Sequence, residues 1–440
     1  MLKRIARSSD SVVERYLPDP YVLMLLLTLL VFLAGILVER QGPLAMIRHW
    51  GDGFWGLLEF SMQMVLVLVT GWVLASSPPV RRVLAAIAGL ARTPVQAILL
   101  GTLVSLTAAW INWGFGLVIG ALFARQLVRA VPSVDYRLLI ASAYSGFLVW
   151  HGGISGSVPL TIATPGHFTE AMIGVVPTSQ TIFAGYNLAI VLALFVAIPL
   201  ANVLMLGHGG REVPLDPALL QADDDEVVAE KPVTRPADRL ENSRVLSWAV
   251  ALLGLVFLAS YLLERGFALN LNIVNFAFLI FGILLHGSPY RLLTALREAV
   301  AGAAGIVIQF PFYAGIMGMM VGSGLAQTLS EAFVAISTST TLPLWTFLSA
   351  GLLNIFVPSG GGQWAVQSQV MLPAAQALQA DVARTAMAVA WGDAWTNMIQ
   401  PFWALPALAI AGLTAKDIMG FCLVVLVISG LIIGLGLVFV

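Results

Sequence analysis

The chain has 440 residues, 59% of them hydrophobic and 10% charged, with a mean hydropathy of +0.91 and a formal net charge of −1. No soluble domain of this length buries so much apolar surface, so the composition describes an all-α polytopic membrane protein. The near-neutral balance argues against nucleic acid as a partner, and the single cysteine, Cys422, excludes disulfides and thiolate metal clusters.

Lys3, Arg4, Arg7 and Arg15 precede an apolar run from Pro20 to Val38. The run is too long for a typical signal peptide and no small-residue cleavage pattern follows, so it reads as an uncleaved first span with a cytoplasmic N-terminus. Further spans are expected at 55–75, 183–206, 245–263, 271–285, 299–320 and 418–440. Shorter or interrupted runs lie at 95–111 with 114–124, 138–163, 341–357 with 364–378, and 385–413. Residues 207–244, with the acidic run Asp223 to Glu226, form a polar linker too short for a core.

Lysine and arginine positions orient the spans. If 114–124 crossed alone, its 11 residues would reach about 17 Å against a hydrocarbon core of roughly 30 Å. Segment 95–124 is therefore expected to enter from the cytoplasm and turn back at Asn112-Trp113-Gly114. No Lys or Arg occurs from Glu298 to Ala383, so 341–378 is expected to enter from outside and turn at Pro358–Gly362. This arrangement puts 18 of the 22 Lys and Arg inside, with an external C-terminus. Residues 1–206 and 271–440 then become inverted repeats, joined by the cytoplasmic linker 207–244 and a linking span, 245–270. Each repeat carries a re-entrant hairpin and a broken transmembrane helix, the architecture of secondary transporters.

The breaks hold the polar residues. The second hairpin turns through Asn354 to Trp364, NIFVPSGGGQW, where Pro358 cannot continue a helix and Gly360, Gly361 and Gly362 free the backbone. The first turns through INWGFG at Asn112 and Gly114. The interrupted helices carry His151-Gly152-Gly153-Ile154-Ser155-Gly156-Ser157 and Trp391-Gly392-Asp393-Ala394-Trp395-Thr396-Asn397. Exposed helix N-termini suit a carboxylate and exposed C-termini a small cation. The candidate substrate- and ion-binding residues are Asn112, Gly114, Ser155, Ser157, Asn354, Ser359, Gly360, Gly361, Gly362, Asp393 and Asn397. A Na⁺ site is expected near Asn112, Asn354 and Asp393. With no Lys or Arg at midplane depth, a small, singly charged anion fits better than a di- or tricarboxylate.

Asp393 reads either as a proton or Na⁺ coupling site or as a hydrogen-bonded helix cap. His151 reads either as a structural or interfacial histidine or as a functional one, and the sequence does not decide its role. Tryptophans are expected in interfacial belts, save Trp113, Trp364 and Trp395 beside the breaks. No catalytic motif for hydrolysis or ATP use appears and no cofactor is expected, so the chain is not read as an enzyme.

The segments YLPDP (16–20), WGDGFW (50–55), INWGFGLVIGA (111–121), NIFVPSGGGQW (354–364) and QPFWALPALAIAGL (400–413) closely resemble the bacterial short-chain fatty acid transporter family, AtoE type. The resemblance spans essentially the whole chain. It implies uptake of a short monocarboxylate such as butyrate or acetoacetate across the bacterial inner membrane. It also implies kinship with elevator carriers of the ion-transporter superfamily, which often form dimers. It does not fix the coupling ion, Na⁺ or H⁺. The rival readings are a carrier for another small organic anion, an ion channel and a membrane-embedded enzyme.

Overall fold

The computed structural model describes residues 20–207, 230–404, 408 and 411–440. The N-terminal basic residues, most of YLPDP, the acidic run at Asp223 and part of 400–413 lie outside the described residues. What is described is helical, with no strand among those residues. Seven spans are long and apolar enough to cross a membrane, one of them the interrupted stretch Tyr136–Ile162.

The first half runs through α1 (Pro20–Leu37), α2 (Pro43–Gly53), α3 (Leu58–Ala75), α4 (Pro78–Ala88), α5 (Pro94–Ile111) and α6 (Trp113–Ala130). Then come α7 (Tyr136–Ser145), a 3₁₀ turn (Gly146–Gly152), the short α8 (Ser157–Ile162) and α9 (Glu170–Ile173), and α10 (Gly185–Leu204). After α11 (Pro236–Glu241) and α12 (Arg244–Arg265), a similar order of long and short helices follows, without counterparts of α8 and α9 among the described residues. It comprises α13 (Leu271–His286), α14 (Pro289–Ala301), α15 (Ala304–Ser323), α16 (Leu325–Ile336), α17 (Leu342–Leu353), α18 (Gly360–Ala377), α19 (Val382–Thr396), a 3₁₀ turn (Pro401–Ala404) and α20 (Ala415–Phe439).

Local chemistry sets these boundaries. Proline stands in the first turn of α2, α4, α5, α14 and α17, where its missing N–H leaves no bond unmade. Thr93, Asn112, Asp135, Asn270, Ser288, Ser359 and Asp381 cap helix starts with side-chain oxygens. Gly287 and Gly324 end α13 and α15 at φ of 74° and 90°, a conformation that costs a side chain dearly.

Three expectations change. The span expected at 299–320 starts at Ala304, because 289–301 is a separate amphipathic helix ending at Gly302. Three further short amphipathic helices, α2, α4 and α16, have 11, 11 and 12 residues. At 1.5 Å per residue they reach only about 17–18 Å. The second arm of the first hairpin, α6, has 18 residues and not 11, since the helix continues through Arg125 and Arg129. It reaches about 27 Å, so the length argument for turning back inside the bilayer fails for this arm.

The packing places the breaks at the centre. α5 lies against α6 and the 3₁₀ turn, α17 against α19, and α18 between α19, α15 and α16. α3 and α15 pack beside these hairpins, α13 against α3, and α12 on α13. Leu29, Leu30 and Leu33 of α1 and Leu252, Leu253 and Val256 of α12 are exposed. Such outward apolar faces are what lipid requires.

Candidate functional site

Each helix around the breaks stops or starts because its own sequence says so. In the second hairpin α17 ends at Leu353 and the chain leaves helical structure through Asn354 to Ser359. Pro358 cannot supply an N–H, and Ser359 Oγ accepts from Gly362 N–H at 3.4 Å to cap α18. Gly360, Gly361 and Gly362 therefore form the first helical turn and not a free loop, a correction to the expected turn. They are glycines because of what lies against them. A Cβ at Gly360 would overlap the His151 and Trp150 rings, one at Gly361 would stand 2.8 Å from Phe60, and one at Gly362 would overlap Tyr313.

Asn354 joins this tip to the second broken helix. Its Nδ2 donates to the Asp393 carbonyl, Thr396 Oγ1 and Asn397 Oδ1, each at 3.0 Å. Its own Oδ1 is buried without a protein partner, as is Asn397 Nδ2. Tyr144 of α7 donates to the Asn397 carbonyl at 2.7 Å, which ties the first broken helix to the second break.

The first hairpin is built differently. Asn112 Oδ1 accepts from Phe115 N–H at 2.9 Å, while Nδ2 reaches only Val67 O at 3.5 Å. The Asn112 amide is thus largely spent on capping. Gly114 packs against the α3 backbone at Val67 and Leu68, beside Asn112. Ser155 Oγ accepts from the Trp113 main-chain N–H at 2.9 Å, and Ile154 N–H donates to Trp110 O at 2.7 Å. These two bonds press the first broken helix onto the first hairpin tip.

His151 and Asp393 face each other across the two broken helices. His151 Nδ1 lies 2.8 Å from the Ala390 carbonyl, and Val158 N–H points at Nε2 from 3.4 Å. This pair of contacts selects the neutral tautomer with the proton on Nδ1. Asp393 Oδ1 stands 3.6 Å from Nδ1, whose proton is already given to Ala390. Both carboxyl oxygens of Asp393 are fully buried without a hydrogen-bond partner. Asn187 of α10 fastens the same region. Its Nδ2 donates to the Gly152 and Ile182 carbonyls, and its Oδ1 accepts from Trp391 Nε1.

Beside this polar group lies a small cavity of about 10 Å³, room for one water molecule. Trp113, Trp150, Trp403, Phe147, Phe310 and the Ser359–Gly361 tip form most of its wall, with Ser157 the other hydroxyl. No Lys or Arg lines it. Ser157, Ser359, Gly360 and Gly361 thus meet at one cavity. Asn354, Asp393 and Asn397 form a second cluster behind it, and Asn112 and Ser155 brace the wall. The aromatic wall was not legible in the sequence beyond Trp113. Trp150 and Trp403 do stand within a few residues of a break, the one available signal. Trp395 donates to the Leu426 carbonyl and is structural.

The profile of the family described as short chain fatty acid transporter matches residues 1–440. The chain belongs to the short-chain fatty acid transporter family. A protein of Escherichia coli K12 provisionally named a short-chain fatty acid transporter is 48% identical to this transporter over 437 residues, 99% of each chain. A Haemophilus influenzae protein with the same provisional name is 43% identical over 447 residues, covering 100% of both. In fold, the transporter is similar to the crystal structure of the Alcanivorax borkumensis YdaH transporter. The TM-score is 0.59 at 17% identity, with 95% of this chain and 98% of that one covered. It is also similar to Neisseria gonorrhoeae MtrF, described among antimetabolite efflux pumps, with a TM-score of 0.53 at 13% identity and coverage of 98% and 97%. At these identities the likeness is one of fold. The transporter is a multi-pass membrane protein and its family is one of transporters, not enzymes.

Proposed function

We propose that the transporter is a secondary active symporter for short-chain fatty acids such as butyrate or acetoacetate, coupled to Na⁺ or H⁺. The observation that carries this reading is Asp393, a fully buried carboxyl whose two oxygens have no hydrogen-bond donor. An ionised carboxylate in that position is costly unless a cation or a proton joins it. The substrate brings a further negative charge, and no Lys or Arg lines the cavity beside it. A proton on Asp393, or a Na⁺ held by Asp393 and the unpartnered Asn354 Oδ1, balances the loaded site. The oxygen chemistry suits a hard monovalent cation.

The recurring order of elements on either side of α12 supports two inverted repeats with re-entrant hairpins. In this reading the N-terminus is cytoplasmic, the C-terminus external, and the membrane is the bacterial inner membrane. The hairpins α5–α6 and α17–α18 move with the broken helices as an elevator against a scaffold containing α1, α12 and α13, and two copies assemble as a dimer.

The deciding experiment is uptake of labelled butyrate into proteoliposomes under separately imposed Na⁺ and H⁺ gradients. Saturable, gradient-driven accumulation with counterflow is expected. Non-saturating flux indifferent to both gradients overturns the symport reading.

A further inference from the structure

Three tryptophans line the cavity beside the second hairpin tip, and they differ in one respect. Trp403 spends its indole N–H on the Pro358 carbonyl at 3.1 Å. Trp113 and Trp150 are buried, and neither indole N–H has a protein partner. A buried N–H without an acceptor is destabilising, and two at one cavity call for a ligand that accepts hydrogen bonds. Trp50, Trp110 and Trp364 also carry unpartnered indole N–H groups, but none of them lines this cavity.

The surroundings hold both rings in place. Trp150 is stacked with Phe147 at 5.5 Å and with His151 at 3.6 Å. Trp113 lies 5.9 Å from Trp150 and meets Trp403 edge-on at 5.3 Å. Its main-chain N–H is held by Ser155, which fixes the backbone from which the ring extends. Met64, Ile306 and Phe310 give the wall an apolar side, and Ser157 and Ser359 bring two hydroxyls to it.

We propose that Trp113 and Trp150 receive the carboxylate of the substrate on their indole N–H groups, while the alkyl tail lies against the apolar side formed by Met64, Ile306 and Phe310. The assignment rests on the monocarboxylate reading given above. It adds two neutral N–H donors to the Ser157 and Ser359 hydroxyls at a cavity where no Lys or Arg is present. Indole N–H groups are neutral, so an empty site carries no buried positive charge, and they cannot accept a bond. The seat therefore favours a deprotonated acid over an alcohol of equal length. A four-carbon acid needs several times the present 10 Å³, so the Ser359–Gly361 tip must part from Trp150 to admit it.

The test replaces each tryptophan by phenylalanine, which keeps a ring and removes the N–H. In proteoliposomes, Trp113→Phe and Trp150→Phe are each expected to raise KM for butyrate about tenfold or more, with kcat within a few-fold of wild type. The same experiment on the unmodified transporter uses ¹⁵N-indole-labelled tryptophan in detergent. Saturating butyrate is expected to move two indole resonances, those missing from the two variants, and 1-butanol is expected to leave them in place. Wild-type KM in both variants, or indole resonances that ignore butyrate, overturns the assignment. A wild-type protein that neither transports nor binds any monocarboxylate instead overturns the underlying functional reading, and the spectra and fluxes of the wild type distinguish these two failures.

Discussion

His151 Nδ1 stands 3.6 Å from Asp393 Oδ1, yet its proton goes to the Ala390 carbonyl at 2.8 Å. The carboxyl group thus has a close neighbour that gives it no hydrogen bond. This tells against Asp393 as a simple helix cap, because a cap is defined by the donors it satisfies. Asp393→Asn removes titration and keeps the shape. Concentrative uptake is expected to stop or to lose its ion dependence, with the protein still monodisperse in detergent. Wild-type accumulation with unchanged response to pH and Na⁺ would restore the cap reading.

Asn354 holds the second break together with one amide nitrogen shared among three acceptors. Asn354→Ala leaves those buried oxygens short of a donor, a loss of about 1–3 kcal/mol. A lower midpoint in thermal or denaturant unfolding is expected, together with impaired uptake. A variant with wild-type stability would mean that water replaces the amide without loss.

Gly361 faces Phe60 at 2.8 Å and Phe310 at 3.2 Å from the place a Cβ would take. Gly361→Val should force both rings aside, overpacking worth about 1–3 kcal/mol, and abolish uptake while folded protein is still recovered. Gly305→Ala meets nothing nearer than 3.7 Å and serves as the control. Equal uptake by the two variants would show that the tip tolerates bulk.

Gln369 Nε2 of α18 lies 3.7 Å from Met317 Sδ of α15. In a Cys422→Ala background, cysteines at both positions should form a crosslink on oxidation. If α18 travels past α15, oxidation stops butyrate uptake and a reductant restores it. Full transport with the pair crosslinked would exclude relative movement of these two helices.

Outside the membrane, Asp238 accepts from Lys231 Nζ at 3.0 Å, Arg235 at 3.1 Å and the Thr234 and Arg235 main-chain N–H groups. Lys231 first, then Arg235, hold its carboxyl well below the usual carboxylate range. A depressed carboxyl favours the folded clasp above the unfolded value of about 4 and loses that contribution as pH falls further, toward the folded value. Limited proteolysis near 230–243 should therefore be slow at neutral pH and faster for Asp238→Asn. Equal cleavage of the two proteins at pH 7 would remove the clasp from the account.

Much of the fold was legible because membrane helices announce themselves by composition, and Pro358 and the Gly run near it mark a break that no straight helix tolerates. The amphipathic helices α2, α4, α14 and α16 were not, since a short helix with one polar face resembles a loop beside a span. The extent of α6 was misjudged because Arg125 and Arg129 look like the end of a membrane segment, whereas arginine is a good helix former and the helix runs on through both to Ala130. At the site, Asn354, Asp393, Ser359 and the glycines could be found from their polarity or their freedom at apolar depth. Phe310 could not, and Trp150 only by its nearness to a break, because an aromatic ring in such a sequence looks the same whether it faces lipid, a neighbouring helix or a cavity.

Asn187 grips the Gly152 carbonyl of one broken helix and the Trp391 indole of the other with a single side chain. Displacing either break alone must sever a bond that the other break needs. Intermediates with one break shifted and its counterpart at rest are therefore penalised, and the pair behaves as one cooperative element with one barrier. Substitutions at Asn187 will be felt as a change in how tightly the two breaks are synchronised, even though this residue does not line the cavity.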